Sequence, residues 1–119
     1  MKSDAVVFDL NNTLRKKSGK PRKHLLEKAQ KDSKKEDVII MSGESAKDRP
    51  EAENWLKKHD VDYAKLEMRP KGDSEHDDKV KEKLLTKDVS RQFKVKKAYD
   101  DKSENVKMFK DHGIKAKKV

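Results

Sequence analysis

The chain has 119 residues and a formal net charge of +9, with 46% of its residues charged and only 31% hydrophobic. It contains no cysteine, which excludes disulfides, thiolate metal sites and a cysteine nucleophile. No stretch approaches the roughly 20 apolar residues of a membrane span, and no signal peptide opens the chain. We expect one cytoplasmic domain (residues 1–119) without membrane association. The excess of positive charge favours an anionic partner, and a solvated surface with many salt bridges explains it equally well.

The first half of the chain alternates between apolar runs and helical patterns. AVVFDL (Ala5–Leu10) is rich in β-branched residues and predicts a strand buried on both faces. A basic loop, RKKSGKPRK (Arg15–Lys23), and an amphipathic helix, HLLEKAQKDS, follow. DVIIMSG (Asp37–Gly43) predicts a second buried strand. The segment SAKDRPEAENWLKKHDV then predicts a helix that opens near Pro50 and buries Trp55 in the core.

The second half continues the alternation. VDYAKLEMR (Val61–Arg69) predicts a third strand, DDKVKEKLL (Asp77–Leu85) a helix and KVKKAYD (Lys94–Asp100) a fourth strand. SENVKMFKDHG predicts a helix that stops at Gly113, and IKAKKV a short last strand. Strands and helices that alternate at this spacing predict an α/β, three-layer, Rossmann-like domain. We expect a parallel sheet of about five strands with strand one at its centre.

Polar side chains stand where the predicted strands end. The first strand delivers Asp9, the second Ser42, and the fourth Asp100 and Asp101. Ligands of parallel sheets bind at the carboxyl ends of the strands, so these side chains would meet in one crevice. Carboxylates of this kind suit Mg²⁺, and a phosphate bound there would meet the Ser42 hydroxyl and the ammonium of Lys81. Each residue taken alone also fits a helix cap or a turn.

These motifs resemble those of the haloacid dehalogenase-like (HAD) phosphohydrolase superfamily. DLNNTL matches its first motif, D-x-D-x-T, at Asp9 and Thr13, and VIIMSG resembles the second motif. Lys81 resembles the third-motif lysine, and AYDDKSEN the acidic fourth motif. MRPKGDSEHDDKVKEKLL and AYDDKSENVKMFKDHGI are similar to the 3′-phosphatase domain of phage-type polynucleotide kinase/phosphatase.

The resemblance implies a HAD fold without a cap domain and Mg²⁺-dependent hydrolysis of polynucleotide or nucleotide 3′-phosphates through an aspartyl-phosphate. It implies catalytic roles for Asp9, Asn11 and Lys81, phosphate binding by Thr13, Ser42, Gly43, Lys20 and Lys81, and metal binding by Asp9, Asn11, Asp100 and Asp101. Asp9 would be the nucleophile and a metal ligand, and Asn11 would bind the metal through its backbone carbonyl. Asp77 stands four residues before Lys81 on the same helical face and would position it.

The sequence departs from the family pattern at four positions. Asn11 replaces the second acid of D-x-D-x-T, the residue that protonates the leaving oxygen and then activates water. Asn cannot exchange a proton in this way, so we expect binding to survive and turnover to suffer. Glu44 stands where the relatives carry Arg, Lys20 replaces another Arg, and Asn12 replaces a Gly.

Three hypotheses remain at this point. The chain is a phosphatase with impaired turnover, a catalytically degenerate module that binds phosphate or nucleic-acid ends, or a solubility-engineered scaffold that retains the motifs as relics. The oligomeric state cannot be read from the sequence.

Overall fold

A five-stranded parallel sheet forms the centre of the computed structural model, which describes residues 2–119. The strands lie in the order β3-β2-β1-β4-β5 and every neighbouring pair is parallel. Their bounds are β1 (Ser3–Phe8), β2 (Asp37–Ser45), β3 (Lys65–Arg69), β4 (Phe93–Asp100) and β5 (Lys115–Lys118). The predicted α/β class, the five strands and the central position of strand one are therefore confirmed.

The helices occupy the connections between the strands, as parallel pairing requires. Their bounds are α1 (Lys23–Asp32), α2 (Arg49–Lys58), α3 (Asp77–Leu84), α4 (Ser90–Gln92) and α5 (Ser103–Asp111). A 3₁₀ turn (Ala46–Asp48) precedes α2, and a π-helical segment (Leu85–Val89) joins α3 to α4. None of the helices within residues 2–119 combines the length and the apolar character needed to cross a bilayer.

The sheet is buried on both faces because alternate residues of β1 and β2 feed two separate cores. Val6, Phe8 and Ile40 pack on the face covered by α1 and α2, together with Trp55 of α2. Ala5, Val7 and Ile39 pack on the opposite face, together with Met108 and Phe109 of α5. The continuous apolar runs of the sequence reflect this burial on both sides.

Several predicted boundaries were wrong, among them the end of the second strand, which lies at Ser45 instead of Gly43. The first strand was expected over Ala5–Leu10 but ends at Phe8, since the carbonyl of Leu10 accepts the backbone N–H groups of the turn that follows. The third strand begins at Lys65 instead of Val61, because only five residues of that segment reach the neighbouring strand β2. The helix expected to stop at Leu85 continues there as the π-helical segment. None of these changes alters which residues stand at the carboxyl edge.

Candidate active site

A crevice of about 520 Å³ opens at the carboxyl edge of the sheet. Its walls include Asp9 from the loop after β1, Gly43 near the end of β2, and Asp101 directly after β4. Asp77, the first residue of α3, and Asn11 complete this part of the lining. Residues that are distant in the sequence therefore meet where the topology of a parallel sheet places a ligand.

Lys81 is the cation around which the crevice floor is built. Its Nζ lies 2.7 Å from Asp9 Oδ1 and 2.7 Å from Asp100 Oδ2. Asp77 Oδ2 lies farther away, at 3.8 Å. The side chain of Lys81 is only 1% exposed, which is rare for a lysine and is tolerated because both close carboxylates accept hydrogen bonds from it.

The charges of this group shift one another's titration. Burial raises the pKa of Asp9 to about 7, and the ammonium of Lys81 opposes only part of that shift. Burial alone would lower the pKa of Lys81, but Asp9 and Asp100 outweigh it and raise that pKa. Burial also opposes ionisation of Asp77, yet Lys81 and Asn105 hold its pKa below the ordinary value. Lys81 is therefore charged at every pH at which the protein would be studied.

The loop after β1 holds the Asp9 carboxylate in place. Thr13 Oγ1 donates a hydrogen bond of 2.9 Å to Asp9 Oδ2, and the hydroxyl is buried. Asn12 sits between them in the left-handed region with φ of 64°, which Asn tolerates better than most residues. The exchange of the usual glycine for Asn12 is thus accommodated by the backbone.

Asn105 of α5 belongs to the site, although the sequence analysis assigned it no role. Its Nδ2 donates to Asp77 Oδ2 at 2.8 Å and to Asp100 Oδ1 at 3.1 Å. The signal was available, since a polar Asn stands on the buried face of α5 directly before Val106. We call Asp9, Asp77, Lys81, Asp100 and Asn105 the Lys81 cluster.

The start of α3 packs against the end of β2 with no spare room. A Cβ added to Gly43 would collide with Asp77 Oδ1, so a side chain at this position would displace the carboxylate. Arg69 fixes the same region: its Nε donates to the Gly43 carbonyl at 2.7 Å, and its NH2 lies 3.5 Å from Asp77 Oδ1. Arg69 is a second site residue that sequence reasoning missed, signalled only by its place at the end of β3 before Pro70.

The acidic side of the crevice fits a divalent cation. Carboxylate oxygens of Asp9, Asp100 and Asp101 lie within 4.8 Å of one another, and hard oxygen donors are what Mg²⁺ takes. Lys81 balances only one of these three charges. The buried Oδ1 of Asn105 has no hydrogen-bond partner among residues 2–119, so it could accept a bond from a water of the cation's shell.

The opposite side of the crevice is organised around Asn11. Arg15 donates to Asn11 Oδ1 from Nε at 3.1 Å and from NH2 at 2.8 Å, while Asn11 Nδ2 donates to Glu44 Oε1 at 2.5 Å. Arg15 NH2 also lies 2.5 Å from Glu44 Oε1, and its NH1 lies 2.6 Å from Glu51 Oε2. We call these four residues the Asn11 cluster.

Pairing with Arg15 compensates the charge of Glu44, the acid that replaces an arginine of the relatives. Arg15 is 8% exposed and itself lies over the ring of Trp55 at 5.7 Å. Both bonds of Glu44 in this cluster go to its Oε1. Arg15 thus brings a guanidinium to Glu44 from the loop after β1. The sequence analysis did not anticipate this role for Arg15.

Of the five predicted phosphate ligands, Gly43 alone belongs to the lining of the crevice. Thr13 and Lys81 are buried and bond to Asp9. Ser42 is buried at 1% exposure, and its Oγ accepts the backbone N–H of Glu44 at 3.1 Å. Lys20 is exposed in the basic loop, next to Gly19, whose carbonyl accepts a hydrogen bond from Trp55 Nε1 at 2.7 Å. That loop borders a second cavity of about 490 Å³, which shares Asn11 and Glu44 with the crevice.

Known structures share this architecture. Solved structures of the Pnkp1/Rnl/Hen1 complex and of the Pnkp1/Rnl/Hen1 RNA repair complex each contain a chain that matches with 23% identity and a TM-score of 0.93, over 99% of this chain. This chain spans 46% and 42% of those chains, less than half of their length. The core domain of a proposed phosphoglycolate phosphatase from Streptococcus pneumoniae TIGR4 matches with 18% identity and a TM-score of 0.56, over 98% of this chain and 79% of that one.

At these identities the solved structures show the shared fold, and the family follows from the sequence itself. No curated protein sequence matches the chain significantly. The family model for the phosphatase domain of polynucleotide kinase PNKP, a HAD-type domain, matches residues 2–119, which is nearly the whole chain. The chain therefore belongs to the family of polynucleotide kinase PNKP phosphatase domains.

Proposed function

We propose that the protein is a Mg²⁺-dependent phosphohydrolase that removes 3′-terminal phosphates from polynucleotides or nucleotides. The observation that supports this most is the placement of Asp9. Its carboxylate lines the crevice, is oriented by Thr13 and Lys81, and lies near two further carboxylates. Similar chains occur in an RNA repair complex, which favours a nucleic-acid substrate.

The proposed reaction has two displacement steps at phosphorus. A carboxylate oxygen of Asp9 bonds to the phosphorus and the bond from phosphorus to the 3′ oxygen breaks, leaving an aspartyl-phosphate. Water then bonds to the phosphorus, the bond to Asp9 breaks, and phosphate is released. Mg²⁺ held by Asp9, Asp100, Asp101 and the backbone carbonyl of Asn11 would neutralise charge on the phosphoryl group.

The remaining residues of the Lys81 cluster position these groups. Lys81 keeps Asp9 and Asp100 together and carries positive charge beneath the phosphoryl site. Asp77 and Asn105 fix the second side of that arrangement through their contacts with Lys81 and Asp100. Gly43 lines the crevice beside Asp77, and the absence of a Cβ there leaves the Asp77 carboxylate in its place.

Asn11 limits the rate of both steps. The leaving 3′ oxygen must gain a proton and the attacking water must lose one, and an amide does neither. General acid–base help is worth about 10² to 10⁴-fold, so turnover without it is slow. This gives weight to a second candidate, a module that binds phosphorylated ends without turning them over. The hydrogen bond that Asn11 Nδ2 donates to Glu44 needs an amide at this position and favours that candidate.

Phosphate release under single-turnover conditions tests the proposal. The protein in excess is incubated with Mg²⁺ and an oligonucleotide that carries a 3′-phosphate, and inorganic phosphate is followed over time. We expect slow release by the wild type and none by Asp9→Ala or in the presence of a chelator. Asp4→Ala is the matched control, because Asp4 is exposed on β1 and pairs with Lys96 away from the crevice.

The other outcomes separate the rival functions. Release that survives in Asp9→Ala would refute the aspartyl-phosphate route. No release by the wild type, combined with saturable binding of beryllofluoride, supports the binding module. If the wild type neither releases phosphate nor binds the analogue, the crevice is a relic and the scaffold hypothesis stands.

A further inference from the structure

Strands β4 and β5 carry six exposed lysines in a small area. Five of them make no ion pair with any of residues 2–119, the exception being Lys96. Four of these five lie on one side of the sheet, and we call them the lysine face: Lys94, Lys97, Lys115 and Lys117. Lys96 differs because its Nζ lies 3.3 Å from Asp4 Oδ2. Lys97 lies over the ring of Tyr99 at 5.1 Å, which orients its stem along the sheet.

The pairing of the strands places these lysines on one side of the sheet. In the register of β4 and β5, Lys97 stands opposite Lys115, and Tyr99 stands opposite Lys117. Tyr99 belongs to the core under α1 and α2, so its paired neighbour points to the same side. A register shift beside Lys96 lets Lys97 pair with Val6, which faces that core as well. On the opposite side, α5 covers Ala98 and Ala116.

A groove of about 480 Å³ runs between α1 and this part of the sheet. Its strand wall includes Lys94, Lys97 and Lys115. Its helix wall includes Lys28 and Asp32, which pair with each other at 2.7 Å, and the nearby Glu36. Among the described residues, Glu36 is thus the one acid of the groove that forms no ion pair. Three lysines of the groove also form none, so positive charge is in excess there.

Protection of an exposed sheet edge does not explain this pattern. Lysines on an edge strand prevent edge-to-edge pairing, and that reason applies to Lys115 and Lys117 of β5. It does not apply to Lys97, which has a strand neighbour on each side, Val6 of β1 and Lys115 of β5. Lys94 lies before the part of β4 that pairs with β5. Like charges gathered on neighbouring strands repel one another, so their concentration on one face points to an external polyanion.

The lysine face leads towards the active-site crevice. At its carboxyl end, Lys117 stands opposite Tyr99 in the sheet, and the next residue of β4 is Asp100, which binds Lys81. Lysines two positions apart on a strand lie roughly 6.5 to 7 Å apart, a spacing comparable to that of successive phosphates along a nucleic-acid strand. We propose that the lysine face binds the phosphodiester backbone of a nucleic-acid strand whose 3′ end lies in the crevice. The placement of the 3′ end rests on the function proposed above.

Binding of an oligonucleotide without a 3′-phosphate tests the surface independently of turnover. The probe is a fluorescein-labelled 20-mer with a free 3′-hydroxyl, and anisotropy is measured at several NaCl concentrations. The test variant replaces all four lysines of the lysine face by Gln. We expect its Kd to rise at least about tenfold at low salt, and the slope of log K against log salt to fall by about 3, as expected for four lost phosphate contacts.

A matched variant with the same charge change is the control. Lys31, Lys57, Lys58 and Lys87 are exposed lysines outside the lysine face, and none makes an ion pair with the residues that the structure describes. Their replacement by Gln should leave the salt slope nearly unchanged. Glu36→Gln should tighten binding by about two- to fivefold at low salt, since it removes the unpaired acid of the groove. Thermal unfolding verifies that each variant is folded.

The outcomes distinguish a failure of this proposal from a failure of the proposed function. If the two quadruple variants weaken binding equally, or if the wild type does not bind the 20-mer, the lysine face is not a nucleic-acid surface. If only the lysine-face variant loses binding, the surface stands whether or not phosphate is released. Where release is measurable, that variant should raise KM for a 3′-phosphorylated 20-mer and leave KM for a nucleoside 3′-phosphate unchanged.

Discussion

The negative charge of the carboxylates is balanced differently on the two sides of the crevice. In the Lys81 cluster, one buried ammonium holds two buried carboxylates at 2.7 Å, and Asp9, Lys81 and Asp100 agree with the family motifs. In the Asn11 cluster, Asn11 and Glu44 both depart from the motifs, yet Arg15 pairs with Glu44 at 2.5 Å and with Glu51 at 2.6 Å. The motif residues are thus kept on the Lys81 side of the crevice. On the Asn11 side two of them are replaced, and the guanidinium of Arg15 balances the added negative charge.

Removal of Lys81 should have the largest effect on the molecule. Lys81→Met leaves Asp9 and Asp100 buried without a cation, and breaking a buried pair in this way costs about 3 to 5 kcal/mol. We expect a loss of this size in the free energy of unfolding at pH 7, measured by urea denaturation with a chelator present. The loss should shrink as the pH falls, because the two carboxyls then become neutral.

Lys83→Met is the control for that experiment. Lys83 lies two residues away on α3 and pairs with Asp73 and Glu75, but its side chain is 38% exposed. Exposed pairs contribute about 0 to 1 kcal/mol. Equal losses in the two variants would mean that the buried cluster contributes no more than a surface pair.

The Asn11 cluster predicts that restoring the motif acid alone is not enough. In Asn11→Asp, a carboxylate oxygen replaces the Nδ2 that donates to Glu44 Oε1 at 2.5 Å, so two like charges meet. In the double variant Asn11→Asp with Glu44→Gln, the Gln amide can donate to the new carboxylate. We expect the double variant to raise kcat for a 3′-phosphorylated oligonucleotide by about 10² to 10⁴-fold over the wild type.

The single variants complete that experiment. At pH 8 Asn11→Asp should gain less than the double variant, and the difference should narrow at pH 6, where the two acids can share a proton. Glu44→Gln alone should stay near the wild-type rate, because it supplies no acid at position 11. An Asn11→Asp rate equal to that of the double variant at pH 8 would show that Glu44 is not coupled to residue 11.

A substitution at Gly43 tests the contact between the end of β2 and Asp77 of the Lys81 cluster. Gly43→Ala places a Cβ against Asp77 Oδ1, and overpacking of this kind costs about 1 to 3 kcal/mol. Combining it with Asp77→Ala removes the colliding oxygen, so the cost of Gly43→Ala should be smaller in that background. Urea denaturation of the four proteins of this cycle measures the coupling. If the losses of unfolding free energy in the two single variants simply add in the double variant, the strain of Gly43→Ala does not come from its contact with Asp77.

The difference between the two sides also explains what the sequence could reveal. The parallel sheet with strand one at its centre and the contacts of Lys81 with the strand-end acids follow from local patterns, because apolar runs mark strands and strand ends gather in one place. Arg15 was hidden inside a run of basic residues, so nothing local separated it from surface side chains. For Asn105 the one local sign was its position on the apolar face of α5. Arg15 bonds to Glu44, which is 29 residues away in the sequence, and Asn105 bonds to Asp77, which is 28 residues away. Only the fold brings these partners together.

Glu67 of β3 shows what a buried carboxylate does without a buried cation. It is 7% exposed, and Lys65 Nζ is 3.9 Å away and lies closer to Asp88, at 2.7 Å. Burial and the neighbouring Asp88 raise the pKa of Glu67 to about 7. A raised acid pKa means that the folded state holds the proton more tightly than the unfolded state. The stability that Glu67 contributes is therefore complete below its ordinary pKa and is lost as the pH rises towards 7.

Glu67→Gln should remove that pH dependence. We expect the variant to match the wild type near pH 4.5 and to be more stable above pH 7 by about 1 kcal/mol, because the coupled lowering of the Asp88 pKa cancels part of the shift. The free energy of unfolding from urea titrations between pH 4.5 and 8 measures this, with Glu53→Gln on the exposed face of α2 as the control. A Glu67→Gln variant that is less stable than the wild type at pH 8 would mean that Lys65 balances the charge of Glu67 in the way that Lys81 balances those of Asp9 and Asp100. Glu67 and the acids of the Lys81 cluster would then follow one rule, and the special position of the Lys81 cluster would rest on its geometry alone.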